Sequence, residues 1–131
     1  MVEASIRVAR TLGLCIALAA ASAAHAETWV CAYPGTTTSD GRQVEISYDL
    51  VGAKVTESTA KQKFEYDILE NNALGFVATR HYAEGDQRHR TVGAYTLALD
   101  KRDRTMVRSS TFTDSDDPGF RRGDCVEREA Q

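Results

Sequence analysis

His81 and His89 lie on either side of a turn in "RHYAEGDQRHR". If Gly85 is the centre of a hairpin, the two imidazoles stand directly across from each other, beside Glu84 and Asp86. That donor set suits zinc or copper. The same register sets Arg80 against Arg90, and like charges directly opposite repel. A two-residue Gly85-Asp86 turn instead pairs His81 with Arg90. The stretch therefore reads as a charged, exposed hairpin that keeps a sheet edge from aggregating, and no metal is expected.

Other candidates for chemistry fail on spacing. "DSDDPG" places Asp114 and Asp116 ahead of Gly119 at the sixth position, as a calcium loop does. Its fifth position is Pro118 and its twelfth is Cys125, where a calcium loop needs a ligand and a glutamate. A solvated acidic loop is expected. The chain has no G-x-S-x-G elbow, no Gly-rich phosphate loop and no H-E-x-x-H. Its serines, aspartates and histidines show no spacing that joins them into a triad. The sequence thus points away from an enzyme and implies no cofactor.

Loops held on a rigid sheet are the usual binding elements of small β domains. Two loops qualify here. One is the hairpin at 82–90, which brings Tyr82 together with the flanking His81 and His89. The other is the 114–120 loop, which ends in Phe120 next to Arg121 and Arg122. Aromatic residues and arginines anchor interfaces. Phe120 either faces a partner or packs back onto the core, and the sequence leaves both open.

The elements that position these loops read as strands. Val44, Ile46, Tyr48 and Leu50 alternate with Glu45, Ser47 and Asp49. Phe64, Tyr66 and Ile68 alternate with Glu65 and Asp67. Leu74, Phe76 and Ala78 share a face, as do Tyr95, Leu97 and Leu99, and Trp29, Cys31 and Tyr33. A period of two puts one face on a core and leaves the other wet, the pattern of antiparallel sheets. Turn residues separate the runs: Asp40-Gly41, Gly52-Ala53, Asn71-Asn72, Glu84-Gly85-Asp86, and the stretch from Asp100 to Asp103.

At Asn71-Asn72 a loop over 69–73 pairs Ile68 with Leu74 and Tyr66 with Phe76. This keeps the apolar faces together and predicts a bulged connection. "ESTAKQK" has room for a short helix turn, and a short last strand is expected around Cys125. Pro34 and Pro118 are expected outside strand interiors. The whole predicts an all-β domain, a small antiparallel barrel or sandwich of about seven to eight strands. With Tyr48, Tyr66, Phe76 and Tyr95 inward, its core is expected to be filled.

The N-terminus predicts the compartment. Arg7 and Arg10, the uncharged "LGLCIALAAA" and the A-x-A site at Ala24 and Ala26 are the parts of a secretory signal peptide. The apolar run is about half the roughly 20 residues a membrane-spanning helix needs. Cys15 only loosely matches a lipoprotein box, since Leu14 stands where a small residue belongs. Cleavage after Ala26 leaves residues 27–131 as one domain. It removes two of the 16 basic and one of the 19 acidic residues, leaving 14 against 18. This acidic balance excludes the basic footprint of nucleic-acid binding and electrostatic docking on anionic lipid. The domain keeps two cysteines, Cys31 and Cys125, near its two ends. In an oxidising compartment such a pair reads as a disulfide closing nearly the whole chain.

The run W-x-C at Trp29 and Cys31, "ENNALGFVA", "ALDK" and the late "GDC" together resemble small uncharacterised exported proteins of Gram-negative bacteria. The resemblance implies fold and export, not activity. In architecture the chain is also similar to the periplasmic inhibitors of C-type lysozyme, small β-barrels with an early cysteine bridged to a late one. Their Ser-Gly-x-x-Tyr inhibitory motif is missing: Ser58 and Tyr66 have neither its glycine nor its spacing. The resulting expectation is an exported periplasmic or secreted binding protein that engages a protein or envelope component through its loops. A small-ligand barrel is the alternative, and a hydrolase comes last.

Overall fold

The structure is a computed structural model that describes residues 26–116 and 118–129. The predicted signal peptide, Cys15 included, lies outside the described residues except for Ala26. Eight strands run in order: β1 (Glu27–Thr37), β2 (Gln43–Val51), β3 (Lys54–Ser58), β4 (Lys63–Asn71), β5 (Gly75–Gly85), β6 (Arg90–Asp100), β7 (Thr105–Phe112) and β8 (Gly119–Arg128). Each pairs antiparallel with the next, and β8 returns to β1, so the sheet closes into a barrel. Closure removes every sheet edge. Among the described residues no helix is long and apolar enough to cross a membrane.

Closure follows from the alternation. The even positions of β2 and the odd positions of β1 point inward, so Trp29, Cys31, Tyr33, Ile46, Tyr48 and Leu50 are all buried. Val55, Tyr66, Phe76, Ala78, Leu97, Leu99 and Met106 complete one cluster. Each fully buried large apolar side chain contributes about 1.5–3 kcal/mol by leaving water. Cys31 and Cys125 are directly opposite on β1 and β8, and their sulfurs are bonded. The bridge therefore lies at the seam where first strand meets last. Beside it, Gly123 leaves room for Tyr33. A β-carbon there would come within 2.8 Å of two Tyr33 ring carbons.

One end of the barrel is sealed. Trp29, Leu50, Phe76, Leu99 and Met106 fill it. Lys101, in the β6–β7 turn, donates from Nζ to Glu27 Oε1 at 2.9 Å and to Asn71 Oδ1 at 2.7 Å. Trp29 Nε1 donates to Glu27 Oε2 at 3.3 Å. This net ties β1, β4 and the β6–β7 turn together over the apolar floor. Both ends of the described chain lie at this end.

Several expectations from the sequence need correction. At the β4–β5 hairpin, Ile68 pairs with Ala78 and Asn71 with Phe76, with the irregularity between Ile68 and Glu70. The bulge is thus within β4, and the loop shrinks to residues 72–74. Asn72 sets it: its Oδ1 accepts from the amides of Leu74 at 2.8 Å and Gly75 at 3.3 Å. Leu74 is left 77% exposed and shares no face with Phe76. Both registers considered for the β5–β6 hairpin also fail. Gly85 pairs with Arg90, His81 with Ala94 and Arg80 with Tyr95. Asp86 decides this: its Oδ1 accepts from the amides of Arg88 and His89, closing a four-residue loop.

"ESTAKQK" forms no helix turn. Glu57 and Ser58 belong to β3, and Thr59 organises a tight turn by accepting from the Gln62 amide at 3.1 Å. The last strand is ten residues long rather than short. Pro34 lies within β1, where pairing with β2 is interrupted between Ala32 and Thr37, so its missing N–H costs no ladder bond.

Candidate functional site

The strands that fill the sealed end with apolar side chains change character towards the other end. On β3 the inward residue after Val55 is Glu57; on β7 the one after Met106 is Arg108; on β5 the one after Ala78 is Arg80. Glu57 is only 1% exposed. A carboxylate taken from water needs charged or hydrogen-bonding partners. Arg108 Nη2 donates to Glu57 Oε1 at 2.9 Å, and the Tyr66 hydroxyl donates to the same oxygen at 3.4 Å. Glu57 Oε2 and Arg80 Nε are buried without a hydrogen-bond partner among the described residues.

Aromatic rings line this half. The Arg80 guanidinium lies over Phe64 at 4.1 Å and over Tyr95 at 4.5 Å, a cation–π contact on two rings. Tyr33 and Tyr48 share a hydrogen bond of 2.7 Å between their hydroxyls. At the rim, Phe112 meets Tyr82 and Tyr95 edge to face, at 5.8 and 5.2 Å. Gly93, directly across from Phe112, makes this possible, because a β-carbon there would collide with the Phe112 ring at 2.4 Å. Between β4, β6, β7 and β8 a cavity of about 110 Å³ opens, lined by Tyr66, Tyr95, Leu97, Arg108, Ser110 and Arg121.

Burial pushes the Tyr33 hydroxyl up to about 12, against the hydrogen bond from Tyr48. Burial, then the Glu57 carboxylate, pushes Tyr66 up to about 12. Tyr48 is raised further, first by burial and then by Tyr33. For an acid raised in the folded state, the unfolded chain loses its proton first. Stability is therefore full below about pH 10, the ordinary tyrosine value, and falls as pH rises through 12. In an alkaline titration of absorbance and circular dichroism, the phenolate signal of these three tyrosines is expected to appear together with unfolding. Their titration ahead of any loss of β signal would contradict their burial.

The residues singled out from the sequence separate. Cys31 and Cys125 are joined. Tyr82 stands at the rim, where its hydroxyl donates to Glu84 Oε2. Arg121 lines the cavity, and its Nη1 donates to Thr36 Oγ1 at 2.9 Å. Phe120 is 63% exposed, which settles its orientation in favour of solvent. Arg122 lies beside a separate outer groove with Val77, Ala98 and Val107. His81 is exposed on β5, and His89 sits in the hairpin loop. Among the described residues no three His, Cys, Asp or Glu side chains gather as a metal centre.

The two loops picked out from the sequence are both at the open end, beside the β1–β2 and β3–β4 connections. The buried Glu57 and the half-buried Arg108 and Arg80 were missed. The signal for them was a charge on the inward parity of a strand, two residues beyond an apolar residue. No protein-family model matches this chain, and no curated protein or solved structure does either.

Proposed function

We propose that this is an exported, non-catalytic binding protein that engages a protein or envelope component at the open mouth of its barrel. The observation that carries the reading is the contrast between the two ends. One end is packed and tied shut, whereas the other holds an ion pair on the buried Glu57, a guanidinium whose buried Nε has no hydrogen-bond partner among the described residues, and a tyrosine-lined cavity. Buried charge is costly to maintain, so its placement beside an opening favours use over stability.

Three further features support it. The β5–β6 and β7–β8 connections, within the predicted 82–90 and 114–120 binding stretches, lie at this mouth. The packed lower half leaves little room for a large apolar ligand, which argues against the small-ligand barrel. The outer face of β2–β4 carries Glu45, Asp49, Lys54, Glu65 and Asp67, which suits water rather than lipid. Export is inferred from the basic start, apolar run and A-x-A site, together with a disulfide suited to an oxidising compartment.

The test is affinity capture from an envelope extract with three baits: the parent protein, a rim variant (Y82A/R121Q) and an outer-face variant (V77S/V107S). A partner retained by the parent and the outer-face variant but lost by the rim variant is the expected result. Partners that follow the outer-face variant, or are indifferent to both, would overturn the mouth as the site.

A further inference from the structure

Arg108 and Arg121 are directly opposite on β7 and β8, and both line the 110 Å³ cavity. Like charges in that position repel unless an anion lies between or beside them. Glu57 satisfies part of Arg108. Among the described residues Arg121 has no carboxylate partner and hydrogen-bonds only to Thr36. We propose that this cavity is a carboxylate-binding site in which the two guanidinium groups hold the anionic oxygens from facing strands. The inference rests on the mouth being the binding surface and names the chemistry it takes.

The cavity carries excess positive charge: Arg108, Arg121 and Arg80, whose guanidinium lies 4.5 Å over the Tyr95 ring, stand against Glu57. It therefore attracts an anion, and its partly apolar lining favours a carboxylate over a fully polar phosphate. The walls select the group that carries the carboxylate. Leu97 and the rings of Tyr66 and Tyr95 offer an apolar lining, and the Tyr95 and Ser110 hydroxyls supply further donors. The volume is well below the roughly 300 Å³ of a drug-sized pocket, so it admits a carboxylate on a short stem. Two sources fit: a small free acid, or the terminal carboxylate of a partner's chain.

The experiment tracks the arginine Nε–H signals of ¹⁵N-labelled protein during titration. The probes are propionate, propionamide, and acetyl-Ala-Ala with a free or an amidated C-terminus. The Arg108 and Arg121 signals are expected to move saturably with propionate or with the free-ended peptide. Propionamide and the amidated peptide are expected to leave them in place. A stronger response to propionate identifies a free acid, and a stronger response to the peptide identifies a chain end. R121Q removes an exposed guanidinium and is expected to weaken binding about 10–100-fold, the loss typical of a charge-assisted contact. Absence of saturation with either carboxylate, or unchanged binding in R121Q, would overturn the carboxylate site. A partner captured at the rim whose binding survives R121Q alone would overturn the chain-end source while leaving the mouth reading intact.

Discussion

Replacing Glu57 by leucine is expected to destabilise the barrel by about 3 kcal/mol, the low end for breaking a buried ion pair. The loss arises because Arg108 keeps its charge beside Tyr33, Tyr48 and Tyr66 after its carboxylate has gone. Arg108 reaches the cavity and is 27% exposed, so it recovers part of the loss by turning to water. R108M leaves Glu57 buried and unpaired, and the Glu57 side chain is only 1% exposed. It should therefore cost more than E57L, about 3–5 kcal/mol. In E57L/R108M both charges are gone and the volumes are nearly kept. The Tyr66 hydroxyl loses its acceptor, and the Tyr33 ring loses the guanidinium 5.5 Å above it. The double variant is expected within about 2 kcal/mol of the parent, since apolar replacement of a buried pair is often neutral or stabilising. Urea unfolding of the four proteins measures the cycle. Additive losses in the double variant would show that the pair is not coupled.

Removing the disulfide is the second large effect. Cys31 and Cys125 are 94 residues apart in sequence, so the bridge constrains nearly the whole unfolded domain. Loop-closure entropy sets an upper figure of about 4–5 kcal/mol, and loss of native bridges typically costs about 2–5. C31A/C125A is expected to lose about 3 kcal/mol. For a domain of this size that corresponds to a fall in Tm of about 12–24 °C. Both cysteines are buried, so reductant should act only through opening of the β1–β8 seam. Thermal unfolding of parent and variant tests this. On the proposed export, intact mass of the protein under non-reducing conditions is expected to show a chain that begins at Glu27 with its two thiols bonded. Equal Tm values would mean that strand pairing alone closes the barrel.

The fold was legible where apolar and polar residues alternate without interruption. Val44 to Leu50 gave β2 its correct face, and Trp29, Cys31 and Tyr33 gave β1 its own. The disulfide was legible because, with Cys15 assigned to the expected signal peptide, two cysteines remain and allow one pairing. Hairpin registers were not, because local side-chain bonds fix them. Asn72 and Asp86 each cap backbone amides two and three residues ahead, which shortens one loop and lengthens the other. β3 was lost for a related reason. "KVTES" is short and polar outside, and Glu57 interrupts the apolar pattern that marks an inward face. The same interruption hid the site. Arg80, Arg108 and Glu57 sit at inward positions, where a period-two reading expects hydrophobic residues. Conversely, the exposed His81, His89 and Arg122 drew notice by their type and their place beside the two loops, and none of them lines the cavity.

The central claim is that the charged half of the barrel is kept for binding rather than stability. Propionate titration of E57L/R108M, beside its urea unfolding, tests it most directly. The predicted result is a double variant about as stable as the parent whose Arg121 Nε–H signal no longer moves saturably with propionate. A double variant that is stable and binds propionate as the parent does would contradict the claim.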